Sequence, residues 1–240
     1  MKKAFGFATL MLSVAVTIVV SAGPAAPQTA KPATLGQPMP DFTLAAVQGG
    51  EVTLSKLTGR SILLVFPRGL AGEKHWCHIC NYQYADLAEL EKETGFRKSR
   101  NLEVLFVMPY DRAMILDWVD KFDDQMKDIE AWKNPPDADK LDEKGKTRVE
   151  LMRKSFPKKY LYEQGRVPLP FPVLIDEGAR IAKSLGIFTL EWGGSKIEQN
   201  VPTVFLIDPQ GIVRFKYISQ NTFDRPQAEY LLKFLEMMGR

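Results

Sequence analysis

Cysteine and histidine are scarce in this chain. Its 240 residues hold two of each, and all four lie within His75-Trp76-Cys77-His78-Ile79-Cys80. Two cysteines three positions apart exclude the multi-bridge framework of a small disulfide-stapled domain. Side chains at 75, 77, 78 and 80 are too crowded to converge on one tetrahedral centre, so no metal is expected there. Attachment of c-type haem is excluded because Asn81, not histidine, follows Cys80. No other cofactor is indicated. Excess charge is also missing: the net formal charge is +3, and Lys2 and Lys3 supply two of it. What remains is nearly neutral and lacks the basic footprint of a nucleic-acid binder. There is no internal repeat. The apolar share of 45% and charged share of 25% are ordinary for a globular protein, and this length can bury a substantial core.

The six-residue cluster is what the chain has instead. Ser61-Ile62-Leu63-Leu64-Val65-Phe66 before it is a nearly continuous apolar run, which predicts a buried strand. After it, Tyr84, Leu87, Ala88 and Leu90 recur at helical spacing over residues 81–93. A C-x-x-C between a strand and a helix places the sulfurs at the positive end of the helix dipole, which favours a thiolate. This predicts a dithiol/disulfide pair in which Cys77, at the exposed end, attacks and Cys80, one turn inside, resolves the mixed disulfide. A protonated His78 beside the thiolate would depress its pKa further, and Trp76 would pack beside the sulfurs and keep water from one side. His75 is expected to be solvated.

At the N-terminus, two lysines precede an apolar stretch from Ala4 to Val20, and small residues follow at Val20-Ser21-Ala22. This is the layout of a secretory signal peptide over residues 1–22; retention of residues 4–20 as a membrane tether is the alternative. The expected location is exported, periplasmic or otherwise extracytoplasmic, where disulfide chemistry is available. No cysteine follows the stretch, which excludes lipoprotein attachment. Residues 23–34 are rich in Pro and Ala and read as a linker, leaving 35–240 as a single domain.

Within that domain the order G-x-x-x-P-D-F-x-L from Gly36, then V-x-L-x-x-L-x-G from Val52, then an apolar strand, resembles the opening of the redoxin family. That family includes the alkyl-hydroperoxide-reductase/thiol-specific-antioxidant (AhpC/TSA) peroxiredoxins and secreted thioredoxin-like reductases. Phe171-Pro172-Val173-Leu174-Ile175-Asp176 and Val201-Pro202-Thr203-Val204-Phe205-Leu206-Ile207-Asp208-Pro209-Gln210-Gly211 resemble later redoxin segments, and the Arg-Gly loop at 68–69 resembles its peroxiredoxin-like branch. The resemblance implies an α/β, thioredoxin-like fold: a central mixed sheet flanked by helices. It also implies that Pro202 forms a cis bond with Val201, faces the C-x-x-C and presents backbone groups to substrate. Residues from about 111 to 166 fall outside the resemblance. They read as a helical insertion, with one helix marked by Ile115, Trp118, Val119 and Phe122, a break at Asn134-Pro135-Pro136, and a charged, solvated second helix.

The function expected is that of an exported thiol-disulfide oxidoreductase working through Cys77 and Cys80 on a protein or small-molecule disulfide, with a thiol electron donor. The alternative is a peroxiredoxin-like peroxidase acting on hydroperoxides, with Cys80 or Cys77 peroxidatic. Against it stands the absence of the P-x-x-x-T-x-x-C pattern, since Lys74 lies three before Cys77 and Cys77 itself three before Cys80. Ser219-Gln220-Asn221 and Asp224-Arg225-Pro226 resemble the C-terminal end of the peroxiredoxin-like branch, and Arg68 could assist electrostatically. A metal-delivery role is a remote third reading, because copper-delivery proteins of this fold need a distant histidine that this chain lacks.

Overall fold

The structure, a computed structural model, describes residues 33–238. The leader and tether read at 1–22, and all but the last two residues of the linker, lie outside the described residues. In chain order the strands and helices are β1 (Thr43–Ala45), β2 (Glu51–Thr53), β3 (Ser61–Phe66), β4 (Leu70–Gly72), β5 (His75–Trp76), α1 (His78–Thr94), α2 (Phe96–Ser99), β6 (Leu102–Met108), α3 (Arg112–Asp120), α4 (Phe122–Lys133) and α5 (Glu143–Ser155). They continue with β7 (Val173–Ile175), α6 (Arg180–Ser184), β8 (Phe188–Thr189), β9 (Gln199–Asn200), β10 (Thr203–Ile207), β11 (Val213–Ile218) and α7 (Ala228–Met238).

The central sheet has five strands in the order β11-β10-β3-β6-β7. β3, β6 and β7 run parallel, and β10 is antiparallel to both β3 and β11. This is the mixed sheet expected. The run Ile62 to Phe66 is apolar throughout because both faces of β3 are covered. Alternation sends Leu63 and Val65 to one core with Val104, Phe106, Val204 and Leu206, where α1 packs. It sends Ile62, Leu64 and Phe66 to the other with Phe42, Leu44, Leu105, Val107 and Phe205. The link from β3 through α1 to β6 is a βαβ crossover, which puts the start of α1 at the C-terminal edge of the parallel strands. α1 stops at Gly95, whose left-handed backbone (φ 58°) lets its N–H reach the Glu91 carbonyl.

The insertion differs from its expected form. Its first helix is two, α3 and α4, divided at Lys121, and its inner faces are not solvated. Trp118, Phe122, Met126, Ile129, Met152 and Phe156 join the same core as Tyr82 and Tyr84 of α1. Polar bonds fasten it to that helix: Trp118 Nε1 donates to Asn81 Oδ1 at 2.6 Å and the Tyr160 hydroxyl to Asp86 at 2.6 Å. The charges seen in the sequence occupy the outer faces, where Lys127, Lys140 and Lys146 pair with acidic neighbours on their own helices or turns. The insertion is thus a wall over α1 that shares its core. None of the described helices is long and apolar enough to cross a membrane.

Candidate functional site

Cys77 is the N-cap of α1 and Cys80 lies in its first turn. The strand–loop–helix transition delivers both sulfurs into the interior, each residue only 3% exposed, and the thiols are free. The loop before them is held by its backbone. Cys77 N–H donates to the Gly69 carbonyl at 2.9 Å, and Leu70 N–H to the Tyr110 hydroxyl at 2.8 Å. Gly69 has φ 82°, and a Cβ there would meet the Tyr110 ring at 2.3 Å, so glycine is required on both counts.

Around Cys80 the donors converge. Arg68 N–H lies 3.2 Å from its Sγ, and an Arg225 guanidinium nitrogen lies 4.0 Å away. Burial by itself would raise the Cys80 pKa. The Cys77 thiol as hydrogen-bond donor, the Arg225 charge and the Arg68 N–H together overcome it and bring the sulfur down to about 6. Cys77 moves the other way: its hydrogen bond to Cys80, its burial and the neighbouring sulfur charge all hold its proton on. The groups around the pair thus favour the anion at Cys80 and the proton at Cys77, the opposite polarity to that expected from motif position, through the Cys77 hydrogen bond first and then the Arg225 charge and the Arg68 N–H.

His78 points to the insertion, not to Cys80. At about 100° per residue, His78 and Cys80 leave α1 about 200° apart. The His78 ring faces the insertion, with Nε2 2.9 Å from Asp128 and its centroid 4.4 Å from that of Trp132. Burial pushes its pKa below the ordinary value, Asp128 offsets this in part, and His75 adds to the lowering. His75 is exposed, as expected, with its ring 4.9 Å from that of His78. Trp76 is buried; its Nε1 donates to Asp117 at 2.8 Å and its ring meets the Tyr110 ring edge-on.

The Val201–Pro202 bond is trans, contrary to the expectation. Nor are the backbone groups beside it available to a substrate. Val201 N–H bonds the Ile187 carbonyl at 2.7 Å, Thr203 Oγ1 donates to the Val201 carbonyl at 2.8 Å, and the Pro202 carbonyl accepts from Ser219 N–H at 2.9 Å. The segment just before them supports the site differently. Asn200 N–H donates to the Arg68 carbonyl and its side-chain amide to the Pro67 carbonyl, each at 3.1 Å.

Two arginines already marked in the sequence, Arg68 of the Arg-Gly loop and Arg225 of Asp224-Arg225-Pro226, come together at the site. Arg225 is 6% exposed and fixed by Ser219 Oγ at 3.0 Å, the Asn221 carbonyl at 3.2 Å and Asp224 at 3.3 Å. The Arg68 side chain is buried against Gln199 Oε1 at 2.7 Å and the Trp192 carbonyl at 2.8 Å. A cavity of about 580 Å³ is lined by Ile79, Tyr82, Phe156, Phe223 and Arg225, and by neither cysteine. No group of three or more histidine, cysteine or acidic side chains suited to a metal occurs among the described residues.

Compared with known proteins, residues 35–216 match the model of the AhpC/TSA family. Among solved structures, the chain is similar to a mutant of the peroxiredoxin 6 of Arenicola marina, with 13% identity and a TM-score of 0.54, over 86% of this chain and 73% of that one. A reduced 2-Cys peroxiredoxin of Plasmodium vivax matches with 20% identity and a TM-score of 0.49, over 85% and 81% of the two chains. The first of these shares the fold. No curated protein matches the chain.

Proposed function

The chain belongs to the AhpC/TSA family, a family of thiol-dependent redox proteins, and from that premise we propose that it is a thiol peroxidase in which Cys80 is the peroxidatic residue. The observation that carries this reading is the Cys80 sulfur, buried and ionised between the Arg68 N–H and the Arg225 guanidinium. A sulfur whose residue is 3% exposed is poorly reached by the disulfide of a folded protein, which suits a small hydroperoxide better. This favours the peroxidase over the thiol-disulfide oxidoreductase expected first.

The steps follow from the two protonation states. The Cys80 thiolate attacks the distal oxygen of the hydroperoxide, the O–O bond breaks, and the alkoxide leaves with a proton as alcohol or water. Arg68 N–H and Arg225 stabilise the negative charge as it moves from sulfur to oxygen. The product is a sulfenic acid at Cys80. Cys77, one helical turn away and still carrying its proton, then displaces water from that sulfur to give the Cys77–Cys80 disulfide. A dithiol donor, or two molecules of a monothiol, returns two electrons and two protons. The missing Thr of the usual peroxidatic pattern is compensated by these two arginines. Export, read from residues 1–22, is part of the same proposal and rests on the sequence alone.

The test is consumption of hydrogen peroxide and cumene hydroperoxide by the reduced protein, set against its reduction of insulin disulfides. Cys80→Ser should abolish peroxide consumption. Cys77→Ser should keep a single turnover and accumulate a sulfenic acid that dimedone labels at Cys80. Insulin reduction without peroxide consumption, or dimedone on Cys77 in Cys80→Ser, would overturn the assignment.

A further inference from the structure

Between β8 and β9 the chain makes a tight hairpin at Trp192-Gly193-Gly194-Ser195. Trp192 and Ser195 exchange backbone hydrogen bonds at 3.0 and 3.1 Å, and both glycines have positive φ, 59° and 82°. Two positive values at the turn centre are what a two-residue hairpin of this type demands, so Gly-Gly is the local cause of the turn. Trp192 itself is half-buried and outside both apolar cores, while Gly193 packs closely against Thr222 and Arg68.

What it touches is the cation pair of the site. The Trp192 indole lies under both guanidinium groups, its centroid 5.1 Å from the Arg68 carbon and 5.5 Å from that of Arg225. The same hairpin ties the Arg68 side chain by hydrogen bonds, from its Nη2 to the Trp192 carbonyl at 2.8 Å and to Ser195 Oγ at 2.9 Å. Ser195 in turn donates to the Ala71 carbonyl, on the loop that leads into the cysteines. Arg225 is the less satisfied of the two: its Nε is buried without a hydrogen-bond partner. An aromatic face is the one neighbour that attracts a guanidinium without a lone pair, and tryptophan is the strongest of them.

We propose that Trp192 is a positioning residue, whose indole face holds the Arg225 guanidinium over Cys80 and presses Arg68 into place beside it. Removing the ring leaves Arg225 held only through its Nη1 bonds to Ser219, Asn221 and Asp224, so that Nη2 can tilt away from Cys80 and the sulfur loses the charge beside it. The inference rests on Cys80 being the reacting sulfur. It adds that the nucleophile depends on a hairpin more than 100 residues further along the chain.

The readout is the pH dependence of iodoacetamide alkylation of the reduced full chain, with mass mapping of which cysteine is modified. In Trp192→Leu the midpoint for Cys80 should rise by about one pH unit. In Trp192→Phe, which keeps an aromatic face, it should return most of the way. Because Trp192 lies outside the cores, both variants should unfold near the wild-type denaturant midpoint. If Trp192→Leu is nevertheless misfolded, Trp192→Met, which also removes the ring, carries the same test with the same rise expected. Equal midpoints in the Leu variant and wild type would overturn the proposal, as would equal shifts in the Leu and Phe variants. Modification of Cys77 first in the wild-type protein would instead overturn the peroxidatic assignment, whatever the Trp192 variants do.

Discussion

Arg225 and Cys80 are 145 positions apart in the chain, yet a guanidinium nitrogen of one lies 4.0 Å from the sulfur of the other. That approach separates the two cysteines chemically. The cation faces Cys80, and the thiol of Cys77 completes the solvation of the resulting anion. A buried thiolate without such partners would take up a proton at neutral pH.

Replacing the cation should therefore change the acidity of one sulfur specifically. In Arg225→Gln the midpoint of Cys80 alkylation should move up from about 6 by roughly one to two pH units. The rate of peroxide consumption at pH 6 should fall correspondingly. Arg225→Lys should restore only part of it, because an ammonium lacks the planar fork that sends Nη1 to Ser219, Asn221 and Asp224 and Nη2 toward Cys80 at once. A Cys80 midpoint unchanged in Arg225→Gln would show that the Cys77 hydrogen bond and the Arg68 N–H set the acidity without the cation.

His78 should make the fold sensitive to acid. Its pKa is lower folded than unfolded, so the neutral ring contributes stability that is complete above the ordinary value of 6.5 and lost as pH falls through the folded value. Urea midpoints of the reduced protein should fall between pH 7.5 and pH 5, and His78→Gln should flatten that dependence. A His78→Gln profile as steep as wild type would place the acid sensitivity elsewhere.

Gly69→Ala should be costly although it adds only one methyl group. The new Cβ falls 2.3 Å from the Tyr110 ring at a residue with φ 82°. Overpacking and left-handed strain together predict a loss of about 3 kcal/mol, measurable by denaturant unfolding. Since Gly69 also holds Cys77 N–H, the rate of disulfide closure after one peroxide turnover should slow as well.

Phe156 tests whether the insertion is part of the fold or an appendage. It is 1% exposed and packs edge-on against Tyr82 of α1, with ring centroids 4.9 Å apart. Phe156→Ala should lower stability by about 3–5 kcal/mol while unfolding remains one transition by fluorescence and circular dichroism. Two separate transitions would mean that the insertion melts by itself.

Much of this protein was determined by local pattern. The apolar run 61–66, the helix that follows and the turn at Asp208 to Gly211 are each encoded by neighbours in the chain, and each stands where the pattern puts it. The pairing of Cys77 with Cys80 is local too, since a helix start brings positions three apart together. Tertiary structure decided which of them faces a cation, because Arg225 reaches Cys80 only through the placement of β10, β11 and the loop before α7. It decided the same for His78, which the helix turns toward Asp128 and away from Cys80, and for Val201 and Pro202, whose backbone groups are taken up by Ile187, Thr203 and Ser219. It also decided that the charged insertion hides an aromatic inner face against α1. Periodicity tells a helix which side is apolar, but only the assembled neighbours tell it what that side will meet.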